Sequence, residues 1–316
     1  MALTPTSAAV RLNRAALRRV PAASRPLVEN PAPGIVHLGL GAFHRAHQAV
    51  YTEQAMAAAG GDWGIVAVAP RSAEVVRTLA AQDALFSVTA LDAHRADTRV
   101  VGSLAGVRHL PTESASVLAL LADPATRVVT LTVTEKAYLL DPATGRLRLD
   151  DPLLAADLAG AEIPRTVPGL LARALRARAA AGGPPLALVS CDNLPSNGAA
   201  LRTAVRQALD DEVPGWVGFP STMIDRIVPA TTPDTLERAA AALGVADLAA
   251  VGAEPYRQWV LTDDFPAGRP AWEAAGAVFS DAVGDYERLK LRVLNGVHST
   301  LAYLGALAGC DTIAEA

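Results

Sequence analysis

The residues best suited to chemistry lie near the end of the chain, where Lys290, Asn295 and His298 interrupt an apolar run. On an α-helix, Asn295 would lie about 140° and His298 about 80° around the axis from Lys290. Glu287, about 60° away, would join them on the same side. A lysine beside an amide and an imidazole supplies the groups that proton removal from an alcohol requires. A solvated helix face fits the same spacing and remains an alternative.

A second segment, residues 34–45, has the pattern of a strand, a glycine turn and a helix. In that setting Gly39 would make the turn, and Gly41 would let the pyrophosphate of a dinucleotide approach the backbone at a helix N-terminus. His44 stands where such loops often carry a third glycine. A second apolar strand, Trp63 to Ala69, favours a cofactor loop over a plain turn.

Five motifs, which occur in one family's order and span nearly the whole chain, resemble the mannitol dehydrogenase family of polyol-specific long-chain dehydrogenases and reductases. They are Gly39-Leu40-Gly41-Ala42-Phe43-His44-Arg45-Ala46-His47-Gln48, Thr132-Val133-Thr134-Glu135-Lys136, Ser190-Cys191-Asp192-Asn193-Leu194-Pro195, Met223-Ile224-Asp225-Arg226-Ile227 and the Lys290 to His298 segment. One departure is Ala137, where the family usually has glycine.

Alternating strand-like and helical runs predict an α/β fold with a mainly parallel sheet. The expected strands are Ile35 to Leu38, Ile65 to Val68, Phe86 to Leu91, Val128 to Val133 and Leu186 to Val189. The expected helices are His47 to Ala58, Ala73 to Ala80, Ser114 to Leu121, Pro168 to Ala180 and Tyr286 to Leu307. We expect a doubly wound, Rossmann-type dinucleotide-binding domain over residues 1–284 and the start of a helical substrate domain over residues 285–316. Family members continue into a larger helical domain, so the resemblance implies that the helical domain is incomplete over residues 285–316 and that further substrate contacts lie beyond Ala316.

The resemblance also implies roles for individual residues. Lys290 would be the general base in alcohol oxidation and the general acid in ketone reduction, shielded from water by its apolar neighbours Leu289, Leu291, Val293 and Leu294. The other catalytic, relay and substrate residues would be Asn193 and Asn295 as donors to the substrate oxygen, His298 as an orienting group, Glu135 and Glu287 as a proton relay, and Asp225 near the substrate. The cofactor would contact Gly39, Gly41, Ala42, Phe43, Arg45, Arg71 and Thr132.

Each of these side chains also has a purely structural interpretation. A lysine can snorkel, Asp192-Asn193-Leu194-Pro195 is a strong turn sequence, and a histidine on a helix is often a satisfied core residue. The carboxylates would then form ion pairs, Glu135 with Lys136, Glu287 with Arg288, and Asp225 with a neighbouring arginine.

The choice of cofactor depends on the end of the second strand, Val68-Ala69-Pro70-Arg71-Ser72. NAD sites usually carry an acid there that binds the ribose hydroxyls, and this segment has none. Arg71 could meet a 2′-phosphate, stack on adenine or be solvated. The resemblance favours NAD, with NADP as the alternative.

Composition narrows the class of protein. The net charge of −4 over 316 residues, with dispersed Lys and Arg, gives no sign of a nucleic-acid surface. Two cysteines, Cys191 and Cys310, suit a reducing compartment, and no segment approaches the ~20 apolar residues of a membrane span. We therefore expect a cytoplasmic protein. We also expect no metal site, because His44 and His47 have no Cys or acidic partner at ligand spacing. The run containing Leu12, Leu17 and Val20 predicts a short packed helix.

The expected reaction is reversible, metal-independent hydride transfer between a nicotinamide and a carbinol or ketone of a linear sugar derivative. The amino-acid sequences of Thr222 to Pro229 and of Arg257 to Val260 favour D-mannonate/D-fructuronate as the substrate pair, with mannitol/fructose or another polyol as the runner-up. The alternative from another class is a non-catalytic dinucleotide-binding module. Retention of Lys290, Asn193, Asn295 and His298 argues against that alternative.

Overall fold

A computed structural model describes residues 10–92, 95–210, 212–313 and 315–316. The strands are β1 Pro33–Leu38, β2 Gly64–Ala69, β3 Phe86–Leu91, β4 Ala96–Val101, β5 Leu104–His109, β6 Val128–Leu131, β7 Leu186–Ser190, β8 Val217–Gly218, β9 Thr222–Asp225, β10 Val251–Ala253, β11 Gln258–Leu261 and β12 Val278–Phe279. The α-helices are α1 Ala42–Ala46, α2 Gln48–Ala59, α3 Ala73–Ala80, α4 Leu110–Ala122, α5 Pro152–Leu158, α6 Val167–Ala180, α7 Asn197–Ala208, α8 Pro233–Leu243, α9 Val283–Leu289 and α10 Gly296–Ala308. Short 3₁₀ segments cover Arg14–Arg19, Ala22–Ser24, Glu135–Tyr138 and Trp272–Ala275, and a π-helical segment covers Lys290–Asn295.

The main sheet has six parallel strands in the order β5-β2-β1-β6-β7-β8. Numbered along the chain within this sheet, the order is 3-2-1-4-5-6, which is the doubly wound dinucleotide-binding arrangement. Strand order reverses between β1 and β6, so a crevice opens there at the carboxyl ends of the strands. The expected Rossmann-type fold is confirmed.

Both faces of this sheet are buried, which explains its nearly continuous apolar strands. Ile35 packs into one core, which contains Tyr51 and Met56 of α2. Its neighbour Val36 packs into the opposite core, which contains Val117 of α4 and helices α6 and α7. Because successive side chains of a strand point to opposite faces, one short strand joins the two helical layers.

The predicted elements agree with the structure in most positions. β3 and α3 have the expected limits, and the helices expected at His47 to Ala58 and Pro168 to Ala180 begin or end within one residue of α2 and α6. The strand expected over Val128 to Val133 was too long, because β6 ends at Leu131. The N-terminal packed helix is the 3₁₀ segment Arg14–Arg19, in which Leu17 is buried, and Leu12 and Val20 are buried on either side of it.

Two smaller sheets lie outside the main one, in the orders β10-β3-β4 and β12-β11-β9. Each contains one antiparallel pair, β3 with β4 and β9 with β11. The second sheet carries Asp225 at the end of β9 and packs against α9, where Val283 contacts Met223 and Val260 in a small apolar cluster. This contact fixes the start of the C-terminal helix against the dinucleotide-binding fold.

The C-terminal helical region is continuous from Val283 to Ala308 but is not a single α-helix. A π-helical turn over Lys290–Asn295 separates α9 from α10. Beyond it, α10 exposes Leu301, Tyr303, Leu304 and Leu307, and Gly305 is its one buried residue in the described part of the chain. The domain boundary near residue 284 stays a prediction. None of the helices described here has the length and apolar character needed to cross a bilayer.

Candidate active site

Lys290 is directed at the second small sheet and not at solvent. Its ammonium donates to the Ile224 carbonyl over 2.6 Å, and Nζ lies 3.3 Å from Oδ1 of Asp225. The two charged side chains are only 16% and 13% exposed. Charge-assisted contacts shielded from water are stronger than neutral ones and fix the direction of the ammonium. The sequence placed Asp225 near an arginine or near substrate, and in the structure its ion-pair partner is Lys290.

The expectation that apolar neighbours shield Lys290 was wrong. Four of them are between 48% and 63% exposed, namely Leu289, Leu291, Val293 and Leu294. Successive residues of a helix point about 100° apart, so the side chains of these neighbours point away from that of Lys290 and do not cover it. The shielding comes instead from β9, which lies across the lysine's own face.

The expected common face of Lys290, Asn295 and His298 assumed a regular α-helix. The π-helical turn replaces the i→i+4 bonds by i→i+5 bonds, so the angular arithmetic of an α-helix does not apply across it. His298 is exposed, and its ring makes no hydrogen bond to the described residues. The side chain of Asn295 lies outside the described residues. Such π-turns occur frequently at functional sites.

A cavity of about 200 Å³ lies between the loop after β7 and the start of the π-helical turn. Lys290, Glu287 and Asn193 all line it. Asn193 is exposed, and its loop is also the tight turn that the sequence predicted, since the Leu194 amide donates to the Asp192 carbonyl over 2.8 Å. The predicted turn is present, and Asn193 lines the same cavity as the lysine, while its role as a donor to the substrate stays a prediction.

The two carboxylates of the predicted relay are not equivalent. Glu287 lines the cavity and accepts the Ser196 amide over 3.3 Å, so it does not pair with Arg288, which contacts Asp285. Glu135 is exposed and does not line this cavity. The structure therefore brings one relay candidate to Lys290 and leaves the other apart.

The glycine turn after β1 has the geometry that a cofactor loop needs. Gly39 has φ +114°, and a Cβ there would lie 2.1 Å from the Thr132 carbonyl, so only glycine fits. A Cβ on Gly41 would meet only the Gly39 carbonyl at 3.6 Å, which leaves its outer side open. The first-turn amides of α1, on Ala42 and Phe43, have no helical acceptor and are free to bind an anion.

A buried hydrogen-bonded chain supports this turn from below. The Thr132 hydroxyl donates to the Gly39 carbonyl over 2.9 Å, and His37 lies between Thr132 and Thr130, with Nε2 and Nδ1 at 2.9 and 2.8 Å from the two hydroxyls. Burial lowers the pKa of His37 to about 3, so the ring is neutral and links both hydroxyls. Thr132 thus braces the loop, and sequence reasoning missed His37 and Thr130, whose only signal was a polar residue inside an apolar strand.

Arg45, which the sequence predicted to contact the cofactor, does not face the open side of the glycine turn. It is 7% exposed, donates through Nε to the Gly41 carbonyl over 3.2 Å, and contacts the Ala249 carbonyl and the ring of Phe86. Burial lowers the pKa of its guanidinium to about 10. Arg45 therefore holds the turn from behind instead of contacting a ligand over it.

A larger cavity of about 980 Å³ opens at the carboxyl ends of β1, β2 and β6, where the strand order reverses. Three cationic side chains line it, Arg71, Lys136 and Arg165. Its one carboxylate in the described residues, Asp151, already caps α5 by accepting the Leu153 and Leu154 amides. This cavity has the position and the charge expected for the nucleotide end of a cofactor.

Two family models together match most of the chain. The model of the mannitol dehydrogenase Rossmann domain matches residues 33–274, and that of the mannitol dehydrogenase C-terminal domain matches residues 282–316. The D-mannonate oxidoreductase of Escherichia coli (strain K12) is 44% identical over 89% of this chain and 60% of its own length. The mannitol 2-dehydrogenase of Cereibacter sphaeroides is 45% identical over 90% of this chain and 62% of its own length.

A solved structure is similar over most of the chain. The mannitol 2-dehydrogenase of Pseudomonas fluorescens, in a ternary complex with NAD and D-mannitol, superposes with a TM-score of 0.87 at 38% identity. The match covers 95% of this chain and 64% of that one. The chain therefore spans about three fifths of the length of the relatives that it matches.

Proposed function

Since the chain belongs to the mannitol dehydrogenase family, we propose that it interconverts a linear polyol or sugar acid and the corresponding ketose with a nicotinamide cofactor. The observation that carries this proposal is the cavity in which Lys290 and Asn193 face the same space. That cavity lies near the carboxyl edge of the sheet that presents the glycine turn. A fixed lysine and an amide at this edge suit proton transfer at a substrate oxygen.

The glycine turn and the larger cavity fit a dinucleotide. Gly39 and Gly41 would let the backbone approach its pyrophosphate, and the amides of Ala42 and Phe43 would donate to it. When bound, the cofactor supplies the acceptor or donor of a hydride. NAD is our first choice, in keeping with the relative solved with NAD, and Arg71 makes NADP the alternative.

The chain's own residues would handle the proton. In oxidation, neutral Lys290 takes the hydroxyl proton of the substrate, and in reduction its ammonium returns one to the ketone oxygen. Asn193 donates an amide N–H to that oxygen as negative charge develops, a contact of a kind worth about 2.7–4 kcal/mol in the transition state. Asp225 keeps Nζ aimed, and Glu287, at the wall of the same cavity, would pass the proton on to solvent.

For the substrate we retain D-mannonate/D-fructuronate first and mannitol/fructose or another polyol second. The motifs Thr222 to Pro229 and Arg257 to Val260 support the first choice. Sequence identity does not decide between the two, because it is 44% to the D-mannonate oxidoreductase and 45% to the mannitol 2-dehydrogenase. A carboxylate-bearing substrate needs a cation beyond Lys290, and Arg288, which also lines this cavity, would supply it.

The test is an absorbance assay at 340 nm with a panel of sugar acids and polyols against NAD⁺, NADH, NADP⁺ and NADPH. We expect turnover with at least one sugar acid or polyol, and none with simple primary alcohols. Tight NADH binding without turnover of any member of the panel would favour a non-catalytic dinucleotide-binding module instead. Absence of NADH binding would contradict both.

A further inference from the structure

Thr134, three residues beyond the end of β6, has a backbone conformation that threonine rarely adopts. Its φ is +79° and its ψ is 153°. This region of the backbone map is essentially restricted to glycine, because a Cβ crowds the neighbouring peptide groups, and a β-branched side chain adds to the crowding. Such a conformation persists only where the surrounding structure holds it, and residues held in this way cluster at functional sites.

The carboxylate of Asp192 holds Thr134. Oδ1 accepts the Thr134 amide over 2.8 Å, and Oδ2 accepts the preceding Val133 amide over 3.2 Å. Oδ2 also accepts the hydroxyl of Tyr138 over 2.7 Å. The side chain is thus engaged on both oxygens by one short stretch of chain, and Asp192 itself is only 8% exposed. Charge-assisted bonds of this kind, largely removed from water, are the strong ones.

We call the hydrogen bonds from Val133, Thr134 and Tyr138 to the Asp192 carboxylate the clamp. The clamp is supported by contacts with the main sheet. The hydroxyl of Tyr138 lies 2.5 Å from Oγ of Ser190, the last residue of β7, and both side chains are buried. The Asp192 carbonyl accepts Nδ2 of Asn197 at the start of α7 over 3.1 Å. Asp192 therefore has little freedom to follow Thr134 if that residue relaxed.

The clamp joins the walls of the two cavities. Val133 and Thr134 line the larger cavity at the cofactor end, whereas Asp192 lines the smaller cavity beside its neighbour Asn193. Loops from two adjacent parallel strands, β6 and β7, are thereby tied across the edge of the sheet. Any shift of Thr134 would change the separation between the cofactor wall and the amide of Asn193.

We propose that Asp192 is a positioning residue that holds Thr134 in its strained conformation and so fixes Asn193 relative to the bound cofactor. This inference rests on the proposed function. Both oxygens of the Asp192 carboxylate are occupied by donors of the chain after β6, so Asp192 acts through the two loops. Misplacement of a reacting group by about 1 Å can cost about 100-fold in rate, so a small relaxation here has a large effect.

Two variants test the clamp from opposite sides. Thr134→Gly relieves the strain, so we expect a melting temperature at or above that of wild type, together with a fall in kcat of at least about tenfold. Asp192→Asn places an amide N–H against a backbone donor, so we expect a similar fall in kcat with a lower melting temperature. In both variants NADH affinity, measured by calorimetry, should fall by a smaller factor than kcat, because the glycine turn is unchanged.

Matched controls separate positioning from general stability. Glu53 is a buried carboxylate that accepts the Gly102 and Leu27 amides and lines neither cavity, so Glu53→Gln should raise the melting temperature without changing kcat. Asn30 is exposed with φ +49°, and Asn30→Gly relieves strain away from the site. Amide hydrogen exchange over residues 132–139 should accelerate in Asp192→Asn and not in Glu53→Gln.

The outcomes distinguish this inference from the proposed function. Wild-type kcat in Thr134→Gly, or unchanged exchange over residues 132–139 in Asp192→Asn, would overturn the clamp. If the wild-type chain turns over no substrate, the proposed function fails, and the exchange data alone then decide whether Asp192 holds the loop. A fall in kcat that only follows a loss of NADH affinity would also overturn it.

Discussion

Nζ of Lys290 lies 3.3 Å from Oδ1 of Asp225, which joins the C-terminal helix to the end of a strand outside the main sheet. The pair is largely shielded from water, and the Ile224 carbonyl accepts a second bond from the same ammonium. Two fixed contacts define where the lysine points. Its orientation therefore depends on β9 as well as on its own helix.

The first prediction concerns this pair. Asp225→Asn keeps the size of the side chain but removes the charge, so the ammonium loses its strongest contact and its fixed direction. We expect kcat to fall about 10- to 100-fold with NADH affinity within about twofold of wild type, measured by steady-state kinetics and calorimetry. Asp234→Asn, which breaks an exposed pair with Arg238 on α8, is the matched control and should leave kcat unchanged. Equal effects of the two variants would remove Asp225 from the site.

Gly41 tests the cofactor loop. A valine there meets open space in the protein, so the melting temperature should stay near that of wild type, while the side chain blocks the approach of a pyrophosphate. We expect NADH affinity to fall at least about 100-fold by calorimetry. Gly215→Val, at another open glycine, should leave NADH binding unchanged. Unchanged NADH affinity in Gly41→Val would refute the assignment of the loop.

Arg71 tests the choice between NAD and NADP. It lines the larger cavity, and a guanidinium attracts a 2′-phosphate much more strongly than ribose hydroxyls. Arg71→Ala should therefore weaken NADPH binding about tenfold or more and NADH binding less than about twofold. The exposed Arg77 on α3, which does not line the cavity, provides the control variant. Equal losses for both cofactors would instead indicate stacking on adenine or support of the strand.

Glu53 gives a pH test of stability that does not depend on function. Burial raises its pKa to about 7 in the folded chain, while Oε1 accepts the Gly102 and Leu27 amides. Between the unfolded value of 4.5 and about 7 the folded state binds more protons, so this group makes the chain less stable as pH rises through that window.

Glu53→Gln keeps an oxygen for both amides and removes the ionisation. The variant should gain up to about 3 kcal/mol in free energy of unfolding, relative to wild type, between pH 5 and pH 8. Urea unfolding at several pH values measures the difference. Glu74→Gln, on the exposed side of α3, should show no such pH dependence. A difference between Glu53→Gln and wild type that does not vary with pH would contradict a raised pKa.

The sequence predicted the parts of the fold that depend on local patterns. Apolar runs identified β1, β2, β3 and β7, and G-x-G after the first strand identified the turn at Gly39. The two-residue strands β8 and β12 are too short to show a period and were missed. β6 ends early because the Thr132 hydroxyl supports Gly39 and the Val133 amide donates to Asp192.

The site was predicted less completely, for physical reasons that a sequence does not display. Helical spacing brought Lys290 and Glu287 together correctly, but the π-helical turn breaks the regular period before His298. The partner of Lys290 comes from a strand distant in sequence, so only the tertiary structure reveals it. Arg45 lies inside a motif of the cofactor loop, yet burial turns it toward Ala249.

The central claim, that Lys290 transfers the proton, is tested most directly by the turnover of Lys290→Ala on the best substrate of the panel. General acid–base groups contribute roughly 10²–10⁴-fold, so we expect kcat to fall by that factor with NADH affinity within about twofold. Small amines such as methylamine should restore part of the rate in this variant and none in Arg292→Ala, the exposed cation on the same turn. Near-normal turnover by Lys290→Ala, with no response to amines, would contradict the account.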